Sequence, residues 1–458
     1  MIEIDSLKSV IKSLRSKEKY KQARELLDHF FDQATRTADY DILGECAIEA
    51  QYHDLRLQCA IRTYTNVSSS EQLFLARQNL YECYNALNYP DKALFYIELN
   101  LKLRPDDPDT LLHKAFNLAL IGNQKDAETI IANVSTTNEK ILETIDYSLC
   151  GKLLREGKTA RGICGFITPF KAKNNLFEDH LKLKFWNGGP QPGRTIVING
   201  EGGIGDEFIN LRFLDNLKKL GMKPILYSSW YKERPDTVTL FRRHGYNVVT
   251  NNLFFKKDYL WTHMMALPGY LGLNESQLWK GPYLHPLKQQ KNQLKDKKFK
   301  IGIKCNGNPY FEQDIYRTIP IEEMLGIMPE DASIYYFNKE ETHPATISLK
   351  DRINTWDDTL DFIEQMDMIV SSCTSLVHAA GAMGKRTIVV TPISQYYVWA
   401  STRTDNTTPW YGENFTLLEQ SKVRSWKEPL EEARLLIQTE YENFNNGIAR
   451  VGKDNSSN

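Results

Sequence analysis

Two short stretches of this 458-residue chain carry side chains of the types and spacing needed to hold an anion and to move a proton. The first is Val370-Ser371-Ser372-Cys373-Thr374-Ser375-Leu376-Val377-His378-Ala379-Ala380-Gly381. An apolar run, a cluster of small hydroxyl side chains and a short helical run with one histidine follow in that order. Gly384, Lys385-Arg386 and Thr387-Ile388-Val389-Val390 complete a strand–loop–helix–strand unit of a parallel sheet. In open α/β sheets, ligands sit outside the carboxyl ends of the strands. The hydroxyls of Ser372, Thr374 and Ser375 therefore fall at a helix start, whose free N–H groups and dipole favour an anion. A phosphate-bearing small molecule is expected there. His378, one turn past Thr374, either points at the same anion or is a packed core histidine.

The second stretch is Thr195-Ile196-Val197-Ile198-Asn199-Gly200-Glu201-Gly202-Gly203-Ile204-Gly205-Asp206. It reads as a strand, a glycine-rich turn and the start of an amphipathic helix over Phe208–Leu220. Gly202, Gly203 and Gly205 let backbone approach a ligand without Cβ interference. The spacing matches neither the G-x-G-x-x-G dinucleotide fingerprint nor a P-loop. Asp206 is placed to act as a general base at the mouth of such a turn, with Glu201 or Glu207 as alternatives. Its competing role is that of a helix cap.

These units must be held by larger elements. Residues 1–186 show helical periodicity and almost no strand pattern. Tyr89-Pro90-Asp91-Lys92-Ala93 and Asn123-Gln124-Lys125-Asp126-Ala127 lie one repeat apart, with 34 residues from Ala93 to Ala127. Tyr20-Lys21-Gln22-Ala23 marks an earlier copy. That period is the one of the tetratricopeptide repeat (TPR), and an irregular helical bundle is the other reading. A Gly/Pro break at Trp186–Gly193 precedes the first strand. The expected division is a helical repeat domain at 1–186, a first Rossmann-like domain at 187–290 and a second at 291–458. Strands are expected at Thr195–Asn199, Pro224–Tyr227, Asn247–Val249, Asp258–Trp261, Lys300–Lys304 and Ser333–Phe337. A closing helix is expected over Pro429–Glu442. The lysine-rich stretch Lys288–Lys300 reads as a solvated linker, with a nucleic-acid patch as the alternative.

The totals exclude several classes. With 57 basic and 58 acidic residues, a formal net charge of −1 gives no bulk drive onto nucleic acid or lipid. Seven cysteines without C-x-x-C or zinc spacing fit reduced thiols. There is no apolar signal core and no run of about 18 apolar residues. A soluble, cytoplasmic protein is expected. Asp107-Pro108-Asp109 spells D-x-D but lies in a turn between helical repeats and reads as a solvated turn.

The residues also resemble a family. Phe185-Trp186-Asn187-Gly188, Glu201-Gly202-Gly203-Ile204-Gly205-Asp206, Met265-Ala266-Leu267-Pro268, Gly281-Pro282-Tyr283-Leu284, Gly307-Asn308-Pro309, Arg317-Thr318-Ile319-Pro320, Asp357-Asp358-Thr359, the Ser372–His378 segment and Pro409-Trp410-Tyr411 occur in the order seen in TPR-containing glycosyltransferases related to the heptosyltransferases of glycosyltransferase family 9. The resemblance spans roughly residues 80–425. It implies the GT-B architecture, two Rossmann-like domains facing across a cleft. It also implies a nucleotide-sugar donor on the second domain, and neither metal nor other cofactor. Carried over by position, Thr374, Ser375 and His378 match the phosphate-binding segment. Asn306, Asn308 and Arg317 match a loop reaching the diphosphate, and Asp206 matches the catalytic base. The family commonly has Asp just before the Thr; here it is Cys373, which removes a carboxylate from the donor side.

Sugar transfer needs the acceptor hydroxyl deprotonated and the departing diphosphate stabilised. Arg403 joins Arg317 as a guanidinium candidate for the second task, each with surface ion pairing as the alternative. Trp399 and Trp410 either stack on base or sugar or plug hydrophobic gaps. The acceptor, bound with help from the repeat arm, is a saccharide, a protein or a hydroxymethylated DNA base. The competing readings are a repeat scaffold whose transferase half only binds nucleotide sugar, and a nucleotide-sugar epimerase.

Overall fold

The structure is a computed structural model describing residues 6–16, 19–171, 177, 181–253, 255–287, 293–308, 314–338, 341–393 and 396–447. Pro309, part of the lysine-rich stretch and the tail Asp454–Asn458 lie outside these residues. The chain divides into two compact units.

The first unit holds residues 1–137, 308–316 and 422–424. Its helices are α1 (Leu7–Ser16), α2 (Tyr20–Gln33), α3 (Thr37–Ala50), α4 (His53–Tyr64), α5 (Ser70–Ala86), α6 (Pro90–Leu101), α7 (Pro108–Leu120) and α8 (Gln124–Asn133). Successive helices pack as neighbours. Ala23, Ala93 and Ala127 each stand fourth in α2, α6 and α8 and are buried, so a small residue recurs where the second helix of a pair meets its neighbours. Asp107 caps α7 by accepting from Thr110 N (2.9 Å), and Pro108 takes the first helical position. The D-x-D triplet is therefore a helix start. Within this unit the Tyr316 hydroxyl donates to Asn85 O (2.6 Å), and Arg424 lies over the Tyr89 ring (4.0 Å).

The second unit holds residues 138–307, 317–421 and 425–458. It begins earlier than the Gly/Pro break. Helices α9 (Glu139–Arg155) and α10 (Thr159–Lys171) share a core with the sheets through Cys150, Leu154, Ile163, Phe166 and Ile167. The strands of the first sheet are β1 (Lys184–Phe185), β2 (Thr195–Asn199), β3 (Lys223–Tyr227), β4 (Val248–Val249) and β5 (Leu260–His263), in the order β1-β5-β2-β3-β4. The second has β6 (Lys300–Lys304), β7 (Ser333–Tyr336), β8 (Ile347–Ser348), β9 (Met368–Ser372), β10 (Thr387–Thr391) and β11 (Phe415–Glu419), in the order β11-β10-β9-β6-β7-β8. Every pairing among these strands is parallel. The second order is that of the doubly wound nucleotide-binding sheet, with its switch point between β6 and β9. The first sheet switches direction between β2 and β5. Helical pairs followed by two parallel α/β sheets are the GT-B-like arrangement the resemblance implied.

The connecting helices are α11 (Ile204–Leu211), α12 (Leu214–Lys219), α13 (Pro235–Arg243), α14 (Leu267–Tyr270), α15 (Asp314–Arg317), α16 (Ile321–Leu325), α17 (Trp356–Gln365), α18 (Ser375–Ala382) and α19 (Lys427–Asn445). The single helix expected over Phe208–Leu220 is two. It breaks at Arg212, whose Nε turns back to Ile209 O (3.0 Å). The strand expected at Asp258–Trp261 lies two residues later. Leu287, just before the lysine-rich stretch, donates its N–H to Asp361 Oδ1 (3.3 Å), and Leu294 within it donates to Gln365 Oε1 (2.8 Å).

The two sheets do not form separate compact units, as 187–290 and 291–458 would require. α11 packs on α18, and one hydrophobic core runs through both sheets. A Cβ on Gly205 would stand 2.8 Å from His378 Cδ2 and 3.3 Å from Ser375 Cα. Arg212 fastens the same seam. Its guanidinium lies within 4.8–5.9 Å of the ring centres of Phe213, Trp279, Tyr283, Trp410 and Tyr411, and Nη1 donates to Trp410 O (2.8 Å). Aromatic faces replace the water this buried cation has lost. Tyr283 OH donates to Phe208 O (2.8 Å), and Thr402 Oγ1 to Glu275 Oε2 (2.6 Å).

Because Gly205 lets the two helices touch, Gly205→Ala should force the seam apart. The expected loss is about 1–3 kcal/mol, the cost of overpacking a filled interior. Chemical denaturation reads it as a lower midpoint, and an unchanged midpoint would mean that the helices have room to spare.

Candidate functional site

Glycines shape the turn after β2. Gly202 has φ +74°, the left-handed region, and a Cβ there would collide with the Asp206 carboxylate. Gly203 is the N-cap of α11. Asp206 is the third residue of that helix rather than the residue ahead of it. Its Oδ2 reaches back to accept from Gly203 N (2.7 Å), one half of a capping box. The other oxygen, Oδ1, accepts from the Tyr396 hydroxyl (2.5 Å). Burial pushes the Asp206 carboxyl above its ordinary value. The Tyr396 hydroxyl, the Gly203 N–H and the Arg317 guanidinium pull it back, and Glu201 adds to the rise. A carboxylate held partly desolvated in this way is a stronger base than one in water.

The other two acidic residues of this turn have different surroundings. Glu201 Oε2 is bonded to His263 Nδ1 (2.5 Å), so a carboxylate–imidazole pair bridges the ends of β2 and β5 at the switch point of the first sheet. The His263 side chain is wholly buried. Glu207 points the opposite way, beneath Gly200 and beside Tyr231. Burial pushes it up to about 8, against the pull of Arg234 and the Tyr231 hydroxyl. That value leaves Glu207 mostly as the neutral acid at pH 7, and the side chain faces Gly200 and Tyr231 rather than Asp206 Oδ1.

At the second switch point, Thr374 is the N-cap of α18 and Ser375 its first residue. The Ser371 hydroxyl is 3.4 Å from that of Thr374, and Ser372 Oγ is buried with no partner among the described residues. Arg317 Nη1 donates to Cys373 O (2.7 Å), bringing a guanidinium to the helix start. The Cys373 thiol is buried and pushed up by that burial, and its sulfur accepts from Trp399 Nε1 (2.9 Å). A neutral thiol stands where the resemblance would place a carboxylate. Asn306 lies at the end of β6 in a polar group: its Oδ1 accepts from Asn338 Nδ2 (3.0 Å), which also reaches Tyr336 OH (3.1 Å) and Glu341 Oε2 (3.2 Å).

Not every expected residue takes the expected place. Gly205 is a buried helix–helix contact and not part of a ligand loop, because α11 begins at Ile204. His378 is used by the protein: Nδ1 is 2.9 Å from Tyr411 OH, and the ring stacks on Trp399 at 5.3 Å and 8°. Burial, with Arg317 and Arg212 nearby, pushes it down to about 3, so it is a neutral packing residue rather than a charged phosphate ligand. Trp399 and Trp410 are buried and fill gaps. Arg403 is exposed and donates to Thr407 Oγ1 within its own loop (2.9 Å). Asn308 belongs to the helical unit. Asp206, Arg317, Thr374 and Ser375 are the expected residues that the fold brings together. Tyr396, Glu341, Asn338 and His263 join the two centres without having been foreseen. Their only sequence signals were positions past the ends of β10 and β7 and, for His263, the last residue of β5, where ligands of such sheets sit. Among the described residues, no three His, Cys, Asp or Glu side chains are grouped as metal ligands, and no helix is long and apolar enough to cross a membrane.

The buried acid gives a pH dependence. Glu207 ionises at about 4.5 when unfolded and at about 8 when folded. With the folded value raised, its contribution to stability is complete below about 4.5 and is lost as pH rises through about 8. Glu207→Gln should remove this decline, so that thermal unfolding temperatures of variant and wild type diverge across that window in the variant's favour. Parallel curves would show that Glu207 is ionised in the native protein.

No family model matches the chain, and no curated protein does. Solved structures do match. They include a glycosyltransferase of family 9 from Veillonella parvula, at 9% identity and a TM-score of 0.39 over 56% of this chain and 100% of that one. The iron-containing dodecameric glycosyltransferase TibC from enterotoxigenic E. coli matches at 9% identity and a TM-score of 0.36, over 57% of this chain and 77% of the other. A mutant O-GlcNAc transferase from Thermobaculum terrenum matches at 10% and 0.33, over 91% and 94%. Each is a likeness in chain path between this protein and another.

Proposed function

We propose that this chain is a GT-B-type glycosyltransferase that moves a sugar from a nucleotide-sugar donor to an acceptor hydroxyl, with inversion and with no metal ion in the step. One observation carries the reading. The packing of α11 on α18 sets a desolvated carboxylate from one switch point within electrostatic reach of a guanidinium at the other. Asp206 takes the proton of the acceptor hydroxyl as its oxygen bonds to the anomeric carbon. The bond from that carbon to the diphosphate oxygen breaks, and the nucleotide diphosphate leaves with the electron pair. Arg317, the Thr374 and Ser375 hydroxyls and the N–H groups at the start of α18 stabilise the charge it carries away. The Asn306, Asn338 and Glu341 group, at the ends of the first two strands of the nucleotide-binding order, suits the ribose hydroxyls.

The helical unit is proposed to select the acceptor, a saccharide, a protein or a hydroxymethylated DNA base. It offers exposed apolar side chains, among them Leu75, Phe95 and Phe116. The alternative, a silent half that only binds nucleotide sugar, is favoured by the capping bonds of Asp206, which are what a purely structural carboxylate would make.

Asp206→Asn separates the two, because Asn still accepts the Gly203 N–H. Single-turnover transfer should fall 10²–10⁴-fold, the usual worth of a general base, while donor affinity holds and thermal stability does not drop. The donor is found first by thermal shift with UDP-, GDP-, ADP- and CMP-sugars, since binding must stabilise the fold. A loss below about fivefold would leave Asp206 as a cap. On the donor side, Arg317→Ala should weaken binding by about 1.5–3 kcal/mol, the range of a charge-assisted hydrogen bond. Unaltered donor affinity in calorimetry would remove Arg317 from the site.

A further inference from the structure

The proposed base is held from both sides, and one of its two holders comes from the opposite sheet. Gly203 N–H fixes Oδ2 of Asp206 from within the same turn. Oδ1 is fixed by Tyr396, which follows β10 and precedes the short 3₁₀ turn Tyr397–Trp399. That turn is held on three sides. Tyr397 stacks on Phe166 of α10 (4.2 Å, 27°). The Tyr396 ring meets the same Phe166 edge-on (5.5 Å, 88°) and packs across Tyr397 (4.8 Å). Trp399 stacks on His378 of α18 and donates to Cys373. The phenol therefore has little freedom, and its hydroxyl meets the carboxylate at 2.5 Å.

We propose that Tyr396 is the positioning residue of the reaction: its hydroxyl fixes the plane of the Asp206 carboxylate and leaves the remaining lone pair of Oδ1 for the acceptor proton. This rests on the assignment of Asp206 as the base. A carboxylate oxygen has two lone pairs, and a donor on one of them leaves the other available. A base oriented by a third group is the general form of an activated proton acceptor. The hydroxyl does not itself exchange protons in the step, because burial and the adjacent carboxylate hold the phenol well above its ordinary value. Because the tyrosine comes from the donor-side sheet and the carboxylate from the other, the base is in order only when the two are docked.

The charges around Asp206 are few. Arg317 favours its ionised form, while Glu201 opposes it. Glu207 and Cys373 are neutral at pH 7, and Tyr397 is pushed up by burial. Loss of the Tyr396 hydroxyl should therefore raise the proton affinity of Asp206. A charge-assisted hydrogen bond corresponds to a shift of about one to two pH units.

The test is Tyr396→Phe in the full chain, which keeps the ring and its packing, with Asp206→Asn and the double variant. Thermal unfolding between pH 3 and 8 reads the coupling without any substrate. Tyr396→Phe should lower the unfolding temperature more at pH 7 than at pH 3, and this pH dependence should vanish when Asp206 is already Asn. With the donor from the nucleotide-sugar screen, the acidic limb of the kcat profile should move up by about one to two units, with donor KM unchanged. A loss of stability equal at every pH and in both backgrounds, with the acidic limb unmoved, would overturn the proposal and leave Asp206 as the base. If Asp206→Asn transferred sugar normally while the coupling was present, the base assignment would fail and the Tyr396–Asp206 bond would be purely structural.

Discussion

The close approach of α11 to α18 at Gly205 is the constraint on which the rest of the molecule depends. Each of these helices starts at the switch point of its own sheet, so each carries that sheet's switch-point turn at its N-terminus. With a side chain at Gly205 the helices would separate, and the carboxylate of one turn would no longer lie within reach of the guanidinium at the other. The hydrophobic core accordingly passes from sheet to sheet without a break.

A seam of this kind has to accept polar groups without water. Arg212 shows how: a buried cation surrounded by five aromatic rings, donating to two carbonyl oxygens. Burial, aided by the charges of Arg317 and Arg212, keeps His378 neutral, and the imidazole stacks on Trp399 as an aromatic ring. The same desolvation acts on the acids with different results. Glu207, with no donor strong enough to offset burial, becomes a neutral acid. Asp206 is also pushed up by burial, but a hydroxyl, an N–H and a guanidinium around it oppose that push. Two adjacent carboxyls thus acquire different chemistry from their surroundings alone.

Cys373 belongs to this arrangement. In place of a carboxylate, the thiol accepts the Trp399 indole N–H, and its own carbonyl takes Arg317. A negative charge here would lie close to Asp206. With a thiol at this position, the charged group that meets the start of α18 through the Cys373 carbonyl is the Arg317 guanidinium.

By itself the sequence determined what local rules control. Apolar runs bounded by glycine and proline marked the central strands β2, β3, β6, β7, β9 and β10. The spacing of Ala23, Ala93 and Ala127 marked the helical pairs, and the two turns were legible because glycines and small hydroxyls at a strand end have few other uses. Thr374 and Ser375 were within reach of such rules, whereas Arg317 was named through the family resemblance and Asp206 through both. Only the tertiary structure decided which side chains meet across the seam. Tyr396 and Asp206 are 190 residues apart, as are Glu201 and His263 by 62 and Arg212 and Trp410 by 198, and no periodicity links such positions. It also decided against plausible local readings. His378 and the two tryptophans had the right types for ligands, yet burial fixed them as packing groups, and Gly205 had the look of a loop glycine but serves a helix contact. Composition sets what a residue is able to do; desolvation and the neighbours supplied by distant segments select which of those things it does.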